Sequence, residues 1–196
     1  MIDKTHLHEK TELNDERLIW QTNREELLLH TPVFDVIGQD ERSADGITGT
    51  YVAMEAPDWV MTIPVYRDCF VMVRQWRHAY KGLTTEFPGG VNDTGEDPAK
   101  TAVRELVEET GFLAGKLTHL GTCSPNPALF RNRFHVYLAE DLTPSGTQHL
   151  DEDEVLRWSL VPIEEVVAGF GSEEYAHALM GTALTYYLRY ASGQKA

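Results

Sequence analysis

At 196 residues, 42% hydrophobic and 24% charged, the chain is long enough to bury a core and reads as one soluble globular domain with at most a small appendage. Its formal charge of −14, from 31 acidic against 17 basic residues, argues against a general nucleic-acid binder and against an anionic membrane surface, both of which call for a basic footprint. An acidic protein that handles phosphate needs local arginines and a cation to offset repulsion.

Residues 1–15 are polar and are expected to form a flexible N-terminus. That segment lacks the apolar stretch of a signal peptide, and no run approaches membrane-span length. Cys69 and Cys123 sit in apolar strand-like runs and read as buried free thiols, so the expected location is cytoplasmic. Alternating residues from Leu18 to Ile37 read as one or two strands. The turn-rich stretch DERSADGITG separates them from another strand over 51–57, which makes 16–57 an N-terminal β-hairpin or small antiparallel sheet ahead of a main domain over 58–196. Segments 59–66 and 69–77 read as adjacent strands joined around Arg67 and Asp68. Further strands are expected at 116–124, 133–141 and 155–161, with Pro125-Asn126-Pro127 between the first two and an acidic loop over 143–154 before the third. Pro162 opens a short helix through Ala168, closed by Gly169. Ser172 is read as the cap of a last helix whose Tyr175, Leu179, Met180, Ala183, Leu184, Tyr187 and Leu188 form a core-facing stripe. Strands and helices mixed without regular βαβ alternation give an α+β fold class.

The densest chemistry lies in GVNDTGEDPAKTAVRELVEETGF, from Gly90 to Phe112. Asp97 is a good N-cap, Pro98 suits the first helical position and Gly111 suits a left-handed C-cap, so the spacing predicts a helix over 98–110. Ala99, Ala102, Val103 and Leu106 would form its apolar stripe. Glu105, Glu108 and Glu109 fall together on another side, beside Arg104. Clustered carboxylates at this spacing weaken a helix unless water or a cation offsets them, and an all-oxygen set suits Mg²⁺, with Mn²⁺ as the other candidate.

Gly90, five residues, Glu96, seven residues, then Arg104-Glu105-Leu106-x-Glu108-Glu109-x-Gly111-Phe112 resembles the Nudix box with every defining position filled. The resemblance implies an α/β/α sandwich around a mixed sheet and metal-dependent hydrolysis of a nucleoside diphosphate linked to another group. It also implies Glu105 and Glu109 as main metal ligands, Glu108 as an additional one, the Gly89 carbonyl as a further ligand, and Arg104 as the group that orients the carboxylates.

Two segments outside the box look like those of ADP-ribose pyrophosphatases. They are Arg74-Gln75-Trp76-Arg77 at a strand end and Glu86-Phe87-Pro88-Gly89-Gly90 at the entry to the box. By that resemblance Arg77, with Arg74, would meet phosphate, and Glu86 would lie near metal and substrate. Pro127 stands close to where such enzymes carry a marker proline, although the local sequence SPNPALFRNR departs from the usual pattern and leaves other nucleotide-sugars open. The acidic run Asp151-Glu152-Asp153-Glu154 is similar to the loop that supplies late glutamates, with Glu152 as general base, a role open also to Glu109 or Glu108, and Glu154 completing the metal shell. The N-terminal sheet matches one that packs across a homodimer, with Trp20, Tyr51 and Trp59 as candidates for stacking on adenine. The implied substrate is ADP-ribose or a related nucleoside diphosphate sugar. Dinucleoside polyphosphates, oxidised nucleotides or a non-catalytic nucleotide sensor are the alternatives.

Overall fold

A computed structural model describes residues 15–146, 148–150 and 154–193. By its internal contacts the chain divides between Glu55 and Ala56 into two compact units. The first unit holds three antiparallel strands in chain order, β1 (Trp20–His30), β2 (Asp35–Ser43) and β3 (Thr48–Glu55). The sequence reading of 18–37 as one or two strands and of a strand over 51–57 thus resolves into three strands, with the last beginning at Thr48. Trp20 and Tyr51 pack edge to face within this sheet, with ring centroids 5.5 Å apart.

The second unit is built on a seven-stranded mixed sheet. Its strands are β4 (Trp59–Tyr66), β5 (Cys69–Arg77), β6 (Gly82–Glu86), β7 (Gly89–Val91), then β9 (Lys116–Cys123), β10 (Phe134–Glu140) and β12 (Leu156–Pro162). A two-residue pair, β8 (Phe112–Leu113) with β11 (Thr143–Pro144), lies apart from it. β12, β5, β4, β10 and β9 follow one another across the sheet, β6 extends along β5 and β7 along β4. Only β10 with β4 is parallel, which is what makes the sheet mixed.

Strand alternation sends side chains to opposite faces, and here both faces are covered. Met61 and Ile63 of β4, Phe70 and Met72 of β5, and Phe134, Val136 and Leu138 of β10 share one buried cluster. That cluster also takes in Val166 of α2 (Ile163–Gly169) and Met180, Ala183 and Leu184 of α3 (Ala178–Ala191). The residues between them turn the other way. Val71 and Ala139 pack with Leu106, and Val60 and Tyr137 with Ala102, both on α1 (Pro98–Thr110). This is the expected α/β/α sandwich. Each large apolar side chain sealed in it contributes about 2 kcal/mol relative to exposure. Among the described residues no helix is long and apolar enough to cross a membrane.

Two sequence expectations are corrected. The last helix starts at Ala178, not after Ser172. Glu174 is pulled out of helical geometry because its carbonyl accepts from Thr85 N at 2.8 Å and its carboxylate binds Thr85 and Arg74. Tyr175 is buried in the core all the same, while Leu188 is exposed. On α1, Val103 is exposed, and the buried face takes Thr101, Glu105, Glu109 and Thr110 beside Ala102 and Leu106.

Candidate active site

The helix α1 runs from Pro98 to Thr110, capped by the Asp97 side chain accepting from Ala99 N and ended by Gly111 at φ 69°. Ala102 and Leu106 dock it on the sheet, and Thr62 Oγ1 donates to the Ala102 carbonyl at 3.0 Å. The docking carries the acidic stripe inward, so that Glu105 is 8% and Glu109 only 2% exposed. Gly89 N donates to Glu109 Oε2 at 2.9 Å, which fixes the start of the box against the helix. At Gly90 an added Cβ would stand 2.4 Å from Glu105 Oε1, so glycine is what allows that carboxylate to close on the backbone.

Arg104 donates to Glu105 Oε1 at 2.9 Å and Glu108 Oε2 at 3.0 Å, and Glu96 Oε2 lies 3.5 Å from its guanidinium. Thr101 Oγ1 is 2.7 Å from both Glu96 Oε2 and Asn92 Oδ1, so Glu96 is held as well. Burial, joined by the charges of Glu108 and Glu154, raises the Glu105 carboxyl to about 7 despite Arg104. Glu109 rises well above the ordinary range, first from burial and then from Glu105 and Glu154, against the Gly89 N–H and Arg77. The Glu154 charge thus acts on both. The loop that leads to it is tied to the end of α1: Ser145 N and Oγ donate to the Gly111 carbonyl at 2.7 and 2.8 Å. His149 N donates to the Glu108 carbonyl at 2.9 Å, and the Gln148 amide donates to that of Glu109.

An all-oxygen set with mutually repelling, desolvated carboxylates fits a hard divalent cation. Among the described residues no group of three such side chains converges as it stands. Arg104 holds Glu105 and Glu108, and Gly89 N holds one oxygen of Glu109. The raised carboxyls carry a pH consequence. Without metal Glu105 and Glu109 bind more protons in the folded state than in the unfolded one above about pH 4.5, so the contribution of Glu105 to stability is lost as pH rises through about 7 and that of Glu109 falls in the same direction. In chelator the melting temperature is expected to drop between pH 5.5 and 8, and saturating Mg²⁺ should remove that slope. Melting curves that run parallel with and without Mg²⁺ would overturn this reading.

Beside the carboxylates lies a cavity of about 460 Å³ with walls from Trp59, Met61, Tyr80, Phe87 and Phe134, bounded also by Gly89 and Gly90. Its charged wall is Arg77 and Glu86. Glu86 is fully buried and accepts from Arg77 Nε at 2.9 Å and Nη2 at 2.6 Å, with Thr84 Oγ1 as a further donor. Burial alone would raise the Glu86 carboxyl, but the Arg77 pair, His177 and Thr84 together bring it below its usual value. Among the described residues Arg77 Nη1 makes no hydrogen bond, so the outer side of the fork is available to an anion.

The sequence-predicted residues do not all meet here. Glu105, Glu108, Glu109, Arg104, Gly89 and Glu154 are together, and Arg77 and Glu86 line the adjoining cavity. Arg74 instead pairs with Glu174 and donates to Thr85 Oγ1 at 2.9 Å, outside the cavity lining. Pro127 is exposed in a turn in which Leu129 N and Phe130 N both donate to the Asn126 carbonyl. That turn reaches the cavity only through Phe130, packed on Trp59 at 5.3 Å. Glu152 lies outside the described residues. Sequence reasoning missed His177, which lines the cavity, and Thr84; a lone histidine before a helix carries no pattern that would have singled it out.

A buried acidic helix face closed by a glycine loop stands next to an Arg-Glu walled cavity, an arrangement whose chemistry suits an anionic ligand and a cation. Residues 57–180 match the NUDIX domain, and the chain belongs to the Nudix hydrolase family. It is 30% identical over 168 residues to the ADP-ribose pyrophosphatase of Bacillus subtilis (strain 168), covering 85% of this chain and 91% of that one. It is 29% identical to the ADP compounds hydrolase NudE of Escherichia coli (strain K12), over 72% of this chain and 78% of the relative. A solved structure described as an ADP compounds hydrolase superposes with a TM-score of 0.80 at 26% identity, covering 89% of this chain and 95% of that one.

Proposed function

We propose that this Nudix hydrolase cleaves the pyrophosphate bond of ADP-ribose or a related nucleoside diphosphate sugar, giving a nucleoside monophosphate and a sugar phosphate. The observation that carries the reading is the adjacency of the α1 carboxylates to the cavity walled by Arg77 and Glu86. The names of the relatives favour the same substrate class. Glu105, Glu108, Glu109, the Gly89 carbonyl and Glu154 would hold Mg²⁺, with Mn²⁺ able to replace it. Bound there, the cation supplies Lewis-acid polarisation of the phosphate oxygens and a lowered pKa for water.

The chain's own residues do the rest. Arg104 orients Glu105 and Glu108. Arg77 keeps two N–H groups on Glu86 and offers Nη1 to a phosphate oxygen. Glu152 takes the proton of the attacking water, as the acidic-loop resemblance implies. Arg74, paired with Glu174, and Pro127, exposed in the turn that carries Phe130, lie outside the cavity lining and are given no contact with substrate. A cytoplasmic homodimer is part of the proposal. Leu27, Leu28 and Leu29 of β1 are each more than half exposed and suit the self-association of the three-stranded sheet.

The test is product analysis with ADP-ribose, GDP-mannose and diadenosine polyphosphates, with and without Mg²⁺. AMP and ribose 5-phosphate from ADP-ribose, abolished by chelator, is the expected result. Cleavage of another compound alone would discard the substrate class and keep the chemistry. Binding without cleavage of anything would make the protein a sensor.

A further inference from the structure

His177 is the last residue before α3 and makes no side-chain cap to it. Its Nδ1 is sealed from solvent, has no hydrogen-bond partner among the described residues, and faces Glu86 Oε2 at 3.6 Å. The ring nevertheless lines the cavity and is about one-third exposed. With Nδ1 sealed, the exposed part of the side chain lies among its other atoms, Nε2 included.

A carboxylate accepts and never donates, so Glu86 favours the proton on Nδ1 and leaves the lone pair on Nε2. Burial holds the imidazole neutral, with its pKa lowered, and Arg77 works in the same direction against Glu86. A gap of 3.6 Å is beyond a hydrogen bond as it stands. Such contacts in ligand-free sites commonly tighten when substrate closes them. The segment carrying His177 is itself fixed, because Glu174 is bound by Thr85 and Arg74, and Tyr175 is buried in the core.

We propose that His177 is a specificity-determining residue whose neutral Nε2 accepts a hydrogen bond from a hydroxyl of the sugar next to the phosphate. The inference rests on the substrate class proposed above. A phosphate oxygen at neutral pH has no hydrogen to give a lone pair, and the neighbouring Glu86 repels it. A sugar hydroxyl has that hydrogen. With Arg77 on the phosphate, the sugar is the next group along the ligand to meet the cavity wall.

Three variants separate the roles of the two ring nitrogens. His177→Gln places an amide oxygen near Nε2, His177→Asn keeps only an Nδ1-like donor, and His177→Phe keeps the ring and neither nitrogen. With ADP-ribose and saturating Mg²⁺, the Asn and Phe variants are expected to raise KM about tenfold, at kcat within about twofold. His177→Gln should stay within about threefold of the wild-type KM, and the Mg²⁺ half-saturation should not move in any variant. Rescue by Asn and not by Gln would show that His177 acts through Glu86, and would overturn the proposal. So would three variants with wild-type KM. If the wild type leaves ADP-ribose uncleaved, the proposed substrate has failed on its own, and calorimetry in chelator with ribose 5-phosphate against orthophosphate decides the site. A wild-type preference for the sugar phosphate that His177→Phe abolishes supports it; absence of any preference overturns it.

Discussion

Glu109→Gln is expected to lower kcat by about three orders of magnitude while the protein stays folded. A cation at such a site stabilises transition-state charge by several kcal/mol, and about 4 kcal/mol corresponds to a thousandfold. Glu109 is the most enclosed of the acidic residues on α1, at 2% exposure, and sits where both Gly89 and Glu154 act on it. The substitution keeps an oxygen to accept from Gly89 N and removes the charge that a divalent ion requires. Because that carboxyl is pushed well up in the metal-free fold, the neutral amide should leave folding in chelator unchanged or slightly improved at pH 8. Melting temperature and kcat should therefore part company. Turnover within about tenfold of wild type at saturating Mg²⁺ would remove Glu109 from the ligand set.

How far the site could be read beforehand differs from residue to residue. The helix over 98–110 was legible to the residue, because Asp97, Pro98 and Gly111 are local signals that the tertiary structure did not override. Its acidic stripe was legible as a cluster, but not as a buried one. Burial of Glu105 comes from packing of the helix on β4, far earlier in the chain, and on β7 just ahead of it, and no pattern within the helix reports that packing. The start of the last helix was misplaced for the same kind of reason: Ser172 and its following glutamates look like a helix start, and a contact from Glu174 to Thr85, 89 residues away, removes it. The fate of Arg74 follows from that contact too, since Glu174 is what it binds. Strand β6 was absent from the reading because GLTTE is short; on β5 it sets Glu86 opposite Val73 and Gly82 opposite Arg77, so that the Arg77 side chain reaches Glu86 along one face of the sheet.

Arg77→Ala should destabilise the fold by about 2–3 kcal/mol at pH 8. Glu86 is fully buried, and its anion is held by two N–H groups of Arg77. Removing the guanidinium leaves that charge with the Thr84 hydroxyl and a histidine 3.6 Å away. Losing one partner of a wholly buried pair costs about 3–5 kcal/mol; the Arg77 side chain is 41% exposed, which lowers the figure through screening. For a unit of this size the loss corresponds to roughly 5–10 °C in melting temperature. The pH sign follows from Glu86. In the wild type its carboxyl is held low, so its contribution is present above the unfolded pKa and fades only as pH falls through the lower folded value. In the variant burial is no longer opposed by Arg77, the carboxyl rises, and lowering the pH from 8 toward 5 should recover stability. Arg77→Ala combined with Glu86→Gln should recover most of it at pH 8, because no charge is then left buried and unpaired. The double variant should still bind substrate poorly, since the guanidinium offered to phosphate is gone from it as well. Equal melting temperatures for Arg77→Ala and the wild type at pH 8 would mean that Glu86 does not depend on this pair.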